Sequence, residues 1–368
     1  MSRVDVDVVV VGAGLAGAAT AWQMAGRGVA VAVVEAYRAG HRHGSSHGSS
    51  RIFRRTYEDP FYVGLTGRAA EYWRELESDS GTVLRRRTGG LDMGAGSAPE
   101  KLAGALAGAG VPYELLTSRE AGLRWRGLRF EGPVLHHPEA GVLDPAATVE
   151  ACLRRAAERG AEVLTGTRVV RAEYPVSGGV RLRTDTGTEL SARRAVVAAG
   201  AWLPVLAGVF DIPVPPLEVT QQQVFHFRQD EPDADWPVFL HRGDVQVFGV
   251  PSGSDAGPAP AVKVAELGNG TPTTADLRSG VPDAASRAAV TEFVRTRLPG
   301  LRGEPVAEST CLYTSTGDGD FVLDRHGPVV VVSPCSGHGA KFAPLIGAMT
   351  ADLTLGRTAP HPRFALRR

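Results

Sequence analysis

A chain of 368 residues with 43% apolar and 22% charged side chains has the material for a sizeable core and for two domains. Forty basic and forty acidic side chains cancel, which removes the electrostatic case for nucleic acid or an anionic membrane as partner. Three cysteines are too few for a disulfide framework and lack metal-site spacing, and no apolar run is long enough to span a bilayer, so a cytoplasmic protein without a bound metal is the expectation.

The opening "VDVDVVVVGAGLAGAATAWQMAGRGVAVAVVEA" reads as strand, glycine turn, helix, strand. Residues 6–11 are β-branched apart from Asp7, as expected of a strand buried on both faces. Gly12, Gly14 and Gly17 give G-x-G-x-x-G at the junction: the first permits the tight turn, the second lets a pyrophosphate approach, the third lets helix and strand pack closely. The helix over 15–25 directs its free amides at that phosphate, with Ala13, Leu15 and Ala16 between the glycines. Gly28 ends it, and the next strand closes on Glu35 and Ala36, where a carboxylate can accept from ribose hydroxyls. This is an adenine-dinucleotide pattern, and it does not separate NAD from FAD.

The segment 38–55, "RAGHRHGSSHGSSRIFRR", has no hydrophobic period until Ile52. A basic, glycine- and serine-rich stretch of this kind can wrap a large cofactor, and composition alone also allows a plain surface loop. Arg42, Gly44, Ser45, Ser46, Ser50, Arg51 and Ile52 are its candidate contacts. Next comes an amphipathic helix over 61–77 with Leu65, Ala69, Tyr72, Trp73 and Leu76 near one face, then a stretch from about 86 to 143 that reads as an insertion. Asp144-Pro145 starts a helix that Gly160 stops, with Cys152 as a small core residue inside it. A strand at 161–164 and a hairpin around Gly178-Gly179 lead to "RRAVVAAGAW", a buried strand whose Ala199-Gly200 end brings backbone near the same dinucleotide. Val169 and Trp202 join that set.

From 217 to about 270 the pattern alternates, Val224, His226 and Arg228 opposing Phe225 and Phe227, before a helix over 283–298. This predicts a second domain on an open antiparallel sheet. Lys263 stands alone in the apolar strand "PAPAVKVAEL", where a solvent-facing position and a buried ammonium aimed at a site both remain open. Residues 321–323 and 328–332 read as strands, "SGHGAKFAP" turns into a helix over 344–353, and the residues after Gly356 read as a tail. The turn Gly337-His338-Gly339 opens that helix and offers a second dipole end, which stabilises negative charge. A reduced flavin carries such charge and a nicotinamide does not, so FAD is favoured over an NAD-dependent dehydrogenase sharing the fingerprint.

With "GSSHGSSRIFR", "ERGAEVLTGTRV", "VVAAGAW", "CLYTSTGDGDFVLD" and "SGHGAKFAP" in this order, the chain resembles the FAD-dependent amine oxidases of the D-amino-acid oxidase group, the family of monomeric sarcosine oxidase and N-methyltryptophan oxidase. The resemblance implies an α/β fold: a Rossmann-like FAD-binding domain of glutathione-reductase type (1–85, 144–215, 318–368) and a substrate domain on an antiparallel sheet (86–143, 216–317). It implies hydride transfer from the carbon next to an amine to flavin, with reoxidation by oxygen to give an imine and hydrogen peroxide. It implies a thioether between Cys311 and the flavin's benzenoid methyl, His47 and Arg51 beside the isoalloxazine as a cation that raises its potential, and Arg54 with Lys341 holding a substrate carboxylate. Tyr313 would line the substrate space, and Lys263 would promote the reaction with oxygen as a fixed charge. Cys335 matches no attachment residue and reads as packing. Where those oxidases place a tyrosine and a histidine over the amine, this chain has Phe248 and Leu267, which argues for a bulkier or more apolar substrate than sarcosine. The partners expected are an amine or amino-acid substrate and oxygen, with a monomer or small homo-oligomer; a biosynthetic oxidase or desaturase on a tailored substrate and a non-catalytic flavin scaffold are the rival readings.

Overall fold

The computed structural model describes residues 3–334 and 336–367, so Cys335 lies outside the described residues. The chain begins β1 (Arg3–Val11), α1 (Leu15–Ala25), β2 (Val31–Glu35), β3 (Arg51–Phe53) and α2 (Pro60–Ser80). It continues β4 (Arg85–Arg87), β5 (Gly90–Met93), α3 (Pro99–Gly108), β6 (Glu114–Leu116), α4 (Ser118–Arg124), β7 (Val134–His137), β8 (Gly141–Leu143) and α5 (Pro145–Glu158). Then come β9 (Glu162–Thr165), β10 (Val169–Glu173), β11 (Val180–Thr184), β12 (Glu189–Val197) and α6 (Leu203–Val209). Next are β13 (Leu217–Gln229), β14 (Val238–His241), β15 (Val247–Pro251), β16 (Ala261–Glu266), β17 (Thr271–Pro272) and α7 (Ala284–Arg297). The last elements are β18 (Leu301–Thr316), β19 (Val322–His326), β20 (Val329–Ser333) and α8 (Ala343–Thr354).

The first sheet runs β10-β11-β12-β1-β2-β9, with β20 beside the end of β12 and β19 beside β20. Parallel pairing of β12, β1, β2, β9 and β20 demands crossovers, and α1 and α5 supply two of them. Alternation explains why the strands look uniformly apolar. Val8 and Val10 of β1 join Val31 and Val33 in the core under α1, α2, α5 and α8, whereas Val9 and Val11 join Ala32 and Val34 on the opposite face with β10, β11 and α6. Both faces are covered, so no polar phase is left in the pattern. Cys152 is fully buried in the first of these cores, as its place on α5 predicts.

The second sheet is ordered β17-β13-β16-β15-β14-β5-β7-β6, with β18 along the other edge of β13. It is antiparallel except where β5 meets β14 in parallel, because β5 arrives from the stretch before α5 and not from a hairpin. Phe225, Phe227, Val262 and Val264 face α7 and pack with Val290, Phe293 and Val294. The expected polar phase opposite them holds at Arg228, which is exposed, and fails at His226, which is 1% exposed. The other face of this sheet is therefore covered too, and the loop before β3 covers it.

Two expectations near the C-terminus change. The residues after Gly356 are not a loose tail: Phe364 is fully buried, 5.4 Å ring to ring from Phe321 and 5.8 Å from Phe61. Arg363 donates to Asp320 at 2.8 and 3.0 Å and to Asp59 at 2.7 Å, which pins the segment. The Gly337–Gly339 turn does not open directly into α8; a 3-10 turn, Gly339–Phe342, intervenes, so the amides there belong to the turn. Among the described residues no helix is long and apolar enough to cross a membrane.

Truncating a fully buried phenylalanine costs about 3–5 kcal/mol. Phe364→Ala is therefore expected to lower the unfolding free energy of the whole domain by that amount in urea titration, and an unchanged midpoint would show the segment to be undocked.

Candidate active site

The β1–α1 junction is built on contacts only glycine allows. A Cβ on Gly17 would lie 1.8 Å from the Gly12 carbonyl oxygen, and one on Gly12, at φ +101°, would lie 2.5 Å from the Ala198 carbonyl oxygen. Helix, strand and the end of β12 thus meet backbone to backbone, and the α1 amides open onto a cradle bare of side chains. Glu35 is buried at its rim and accepts from the Ala13 and Tyr37 amides at 2.8 and 3.0 Å. Burial pushes the Glu35 carboxyl up, but bonds from His41, Ala13 and Tyr37 outweigh it and keep it a carboxylate. Ser46 Oγ accepts from the Leu15 amide at 3.0 Å, and a Cβ on Gly14 would come within 3.0 Å of the same oxygen. The 38–55 segment therefore folds back over the cradle.

Arg51 shapes that segment from within. Its guanidinium donates to the carbonyls of Ser50 (2.8 Å), Ser45 (3.0 Å) and His47 (3.0 Å). His47 Nε2 and Ser50 Oγ, in that segment, are buried without a partner among the described residues. Orphaned polar atoms beside a bare amide cradle fit an elongated, hydrogen-bonding, anionic group such as FAD. Burial, then the charges of Arg51, Arg278, Lys263 and Arg42, push the His47 imidazole down to about 4, so the cation expected there is Arg51 and not His47. Gly44 lies against the Trp202 ring, and Arg42 accepts through its carbonyl from Arg278 at 2.8 Å. Val169 keeps its side chain in the core; it lies two residues after Thr167, whose amide bonds the Glu35 carbonyl at 2.9 Å.

Strand register brings the second set together. Gln222 of β13 pairs with Cys311 and Thr220 with Tyr313, while His226 pairs with Lys263. Phe248 of β15 pairs with Ala265 of β16 and with Leu240 of β14, which pairs with Asp92 of β5. Residues of one parity share a face, so Cys311, Tyr313, His226, Lys263, Phe248 and Asp92 lie on the face opposite α7, while Leu267 stands just past the end of β16. Lys263 is 3% exposed, which settles the open choice for that position, and its Nζ donates to the Ser50 carbonyl at 2.6 Å. Burial, followed by the Arg51 charge, pushes the ammonium down to about 7, against the opposing pull of Asp255. Cys311 is 8% exposed, and the carbonyl of its neighbour Leu312 accepts from Ser45 Oγ at 2.5 Å. Ile52 packs in one small cluster with Phe248.

At the far end Lys341 Nζ donates to Tyr57 Oη at 3.0 Å and to the His338 carbonyl at 2.8 Å. Arg54 bonds Thr56, lies 5.1 Å over the Tyr57 ring and is 3.8 Å from Asp92. The His338 ring is turned to Tyr57 (3.1 Å) and the Gly319 carbonyl (3.0 Å), which leaves only its backbone for a cofactor. Gly337, at φ +75°, sits where a Cβ would be 2.9 Å from the Tyr313 ring.

Tyr57, Asp92, His226 and Asp255 escape a reading of motifs. A plainer signal was available: the chain holds three lysines against thirty-seven arginines, and two of the three, Lys263 and Lys341, are buried here. An open depression of about 690 Å³ beside α4 and α7, with Arg129 and Arg297 on its wall, includes none of the candidate site residues.

Comparison with known proteins agrees with this architecture. The family profile described as "FAD dependent oxidoreductase" (DAO) matches residues 7–353, and the chain belongs to that family. It is 33% identical over 376 residues to monomeric sarcosine oxidase of Streptomyces avermitilis, covering 97% of this chain and 95% of the relative. It is 28% identical over 379 residues to N-methyl-L-tryptophan oxidase of Salmonella heidelberg, covering 98% and 96%. Among solved structures it superimposes on NikD, described as "an unusual amino acid oxidase essential for nikkomycin biosynthesis", with TM-score 0.87, 26% identity and 99% and 98% coverage.

The buried amines set a pH dependence. Lys263 falls from 10.5 unfolded to about 7 folded, and Lys341 is lowered in the same direction by burial and then by Arg54. Between these limits the unfolded chain binds protons that the folded chain lacks, so stability rises with pH, by about 1.4 kcal/mol per unit and per group. Cofactor-free protein is expected to gain urea resistance from about pH 7 to about pH 8.5, and Lys263→Met is expected to remove about half of the gain. A flat wild-type profile would contradict these burials.

Proposed function

We propose that the protein is an FAD-dependent oxidase of a secondary or cyclic amino acid, giving an imine and hydrogen peroxide. The observation that carries this reading is the meeting of three parts at one loop. The dinucleotide cradle and the sheet face bearing Cys311 and Lys263 are both bonded to residues 45–50, and the Arg54–Lys341 pair stands at the end of the following strand. The relatives named above support the chemistry. When bound, FAD supplies a two-electron acceptor that oxygen can regenerate.

The chain's own residues divide the remaining work. Arg54 offers a two-point fork to a carboxylate and Lys341 a second contact, which fixes the substrate's carbon–nitrogen bond in one orientation. Lys263, lowered by burial, would regain its proton beside negative charge and so provide a buried cation where such charge develops on oxygen. Cys311 is proposed as the covalent anchor of the flavin: its thiol is buried on the site face, and Ser45 holds the next residue against the cofactor loop. Phe248 on that face, and Leu267 just past the end of β16, offer no hydrogen bond to an amine, which favours a substrate bulkier or more apolar than sarcosine. The same two residues, with the likeness to NikD, support a second reading in which the amino acid is a tailored biosynthetic one.

Anaerobic mixing with a panel of N-methyl and cyclic amino acids is expected to bleach the flavin, and readmitted oxygen to yield one peroxide per substrate. No bleaching with any member would overturn the proposal. Lys263→Met is expected to slow the reaction of reduced enzyme with oxygen by about 10²–10³ while leaving the bleaching step near its normal rate. Equal slowing of both steps, read by stopped flow, would contradict the role given to this charge.

A further inference from the structure

Lysine is rare in this chain, and arginine cannot replace it where an amine must lose its charge. Lys101 is exposed and paired with Glu58, whereas Lys341 is 5% exposed and has no carboxylate within ion-pair distance among the described residues. Its hydrogen bonds can be assigned a direction. The Gly319 carbonyl only accepts, so His338 Nε2, 3.0 Å away, carries the ring's proton. Burial, and with it the Arg54 charge, pushes this imidazole down and holds it neutral. His338 Nδ1 is then an acceptor for the Tyr57 hydroxyl at 3.1 Å, and Tyr57 Oη accepts in turn from Lys341 Nζ at 3.0 Å.

Lys341 Nζ thus gives one hydrogen to Tyr57 and one to the His338 carbonyl. A neutral amine has two hydrogens and a lone pair; both hydrogens are used, and the lone pair remains. The groups facing it favour that form. Arg54 is the nearest cation, the Tyr57 phenol is pushed up by burial and stays uncharged, and Asp320 stands behind His338, bonded to Tyr62 and Arg363. Asp92 lies beyond Arg54 and bonds Arg242.

We propose that Lys341 is the base that receives the substrate's amine proton as the carboxylate docks. This rests on the reading of Arg54 and Lys341 as the carboxylate cradle. An amino acid arrives as a zwitterion with a protonated nitrogen that cannot release hydride. Its carboxylate reaches Nζ, and the proton passes from the amine to the Nζ lone pair, directly or through one water, since amine and carboxylate share a carbon. The substrate becomes an anion with a free amine, and Lys341 an ammonium paired with the carboxylate; no proton enters or leaves. Hydride loss then yields a carboxylate–iminium product of zero net charge. When it departs, Lys341 returns its proton to solvent, the one consumed as peroxide forms.

The test counts protons on the oxidised holoenzyme at about pH 8, where free lysine is charged. Acetate brings a carboxylate without a proton, so calorimetry in buffers of different ionisation enthalpy is expected to show about one proton taken up per acetate bound. The zwitterion 2-aminoisobutyrate, which has no hydrogen on the carbon next to nitrogen and is not oxidised, is expected to bind with about none. In Lys341→Arg, acetate is expected to bind without uptake. Acetate binding to the wild type without proton uptake would overturn the proposal. Lysine labelled with ¹³C at Cε gives an independent readout on the wild type alone, because the chain contains three lysines. The Lys341 signal is expected at the amine position in free enzyme and at the ammonium position with acetate; an ammonium signal in free enzyme would equally overturn it. If neither probe binds although the free Lys341 signal is that of an amine, the carboxylate cradle itself has failed, and the proposal falls with it for that distinct reason.

Discussion

Positive charge is buried in this protein ahead of the negative charge that would balance it. Lys263, Lys341, Arg51 and Arg54 lie buried or half-buried, and the carboxylates near them are few: Asp255 beside Lys263, Asp144 within reach of Lys263 and Arg51, and Asp92 beyond Arg54. Leaving charges so poorly matched in a low dielectric is costly, and the protein meets the cost in two ways. Arginines spend their donors on backbone carbonyls, as Arg51 does around the 45–50 loop. Lysines shed their charge. Such an arrangement suits the anions of the proposed function: a dinucleotide, a developing oxygen anion and a carboxylate.

The fold serves this imbalance by bringing distant strands to one loop. β13 pairs with β16 and β18 over a long stretch, so a thiol on one edge and an amine on the other project from the same face. The loop before β3 then touches both sheets: Ser46 caps the helix at the first glycine turn, while Ser45 and Ser50 bond the second sheet. Asp255 adds a further tie through Ser49, bonded side chain to side chain at 2.5 Å. A cofactor in the cradle would therefore lie against the same loop that joins the two sheets.

Local features were legible in the sequence and long-range ones were not. The helix over 15–25 and the Asp144-Pro145 start of α5 follow from glycine spacing and capping, which act within a few residues, and both match the structure. Alternation around Lys263 identified a strand face but could not say that a loop more than two hundred residues earlier would cover it. The resemblance set His47 with Arg51 where a cation would stand; burial and the surrounding basic residues leave that charge to Arg51. "APHPRFALRR" has no period of its own, and Phe364 is buried only because Phe61 and Phe321 form a slot for it. The resemblance placed the residues of the Arg54–Lys341 end, yet the Tyr57–His338 chain behind Lys341 depends on hydrogen-bond directions that no motif encodes.

The central claim is that a flavin lies between the glycine turn at residue 12 and the thiol of Cys311. Mass spectrometry of the acid-denatured chain tests it most directly. The account predicts an intact mass raised by one FAD, carried by the peptide that contains Cys311, and an unmodified mass with all colour released for Cys311→Ala. A wild-type chain of unmodified mass would contradict the anchor, and a chain that neither holds nor takes up FAD would contradict the account as a whole.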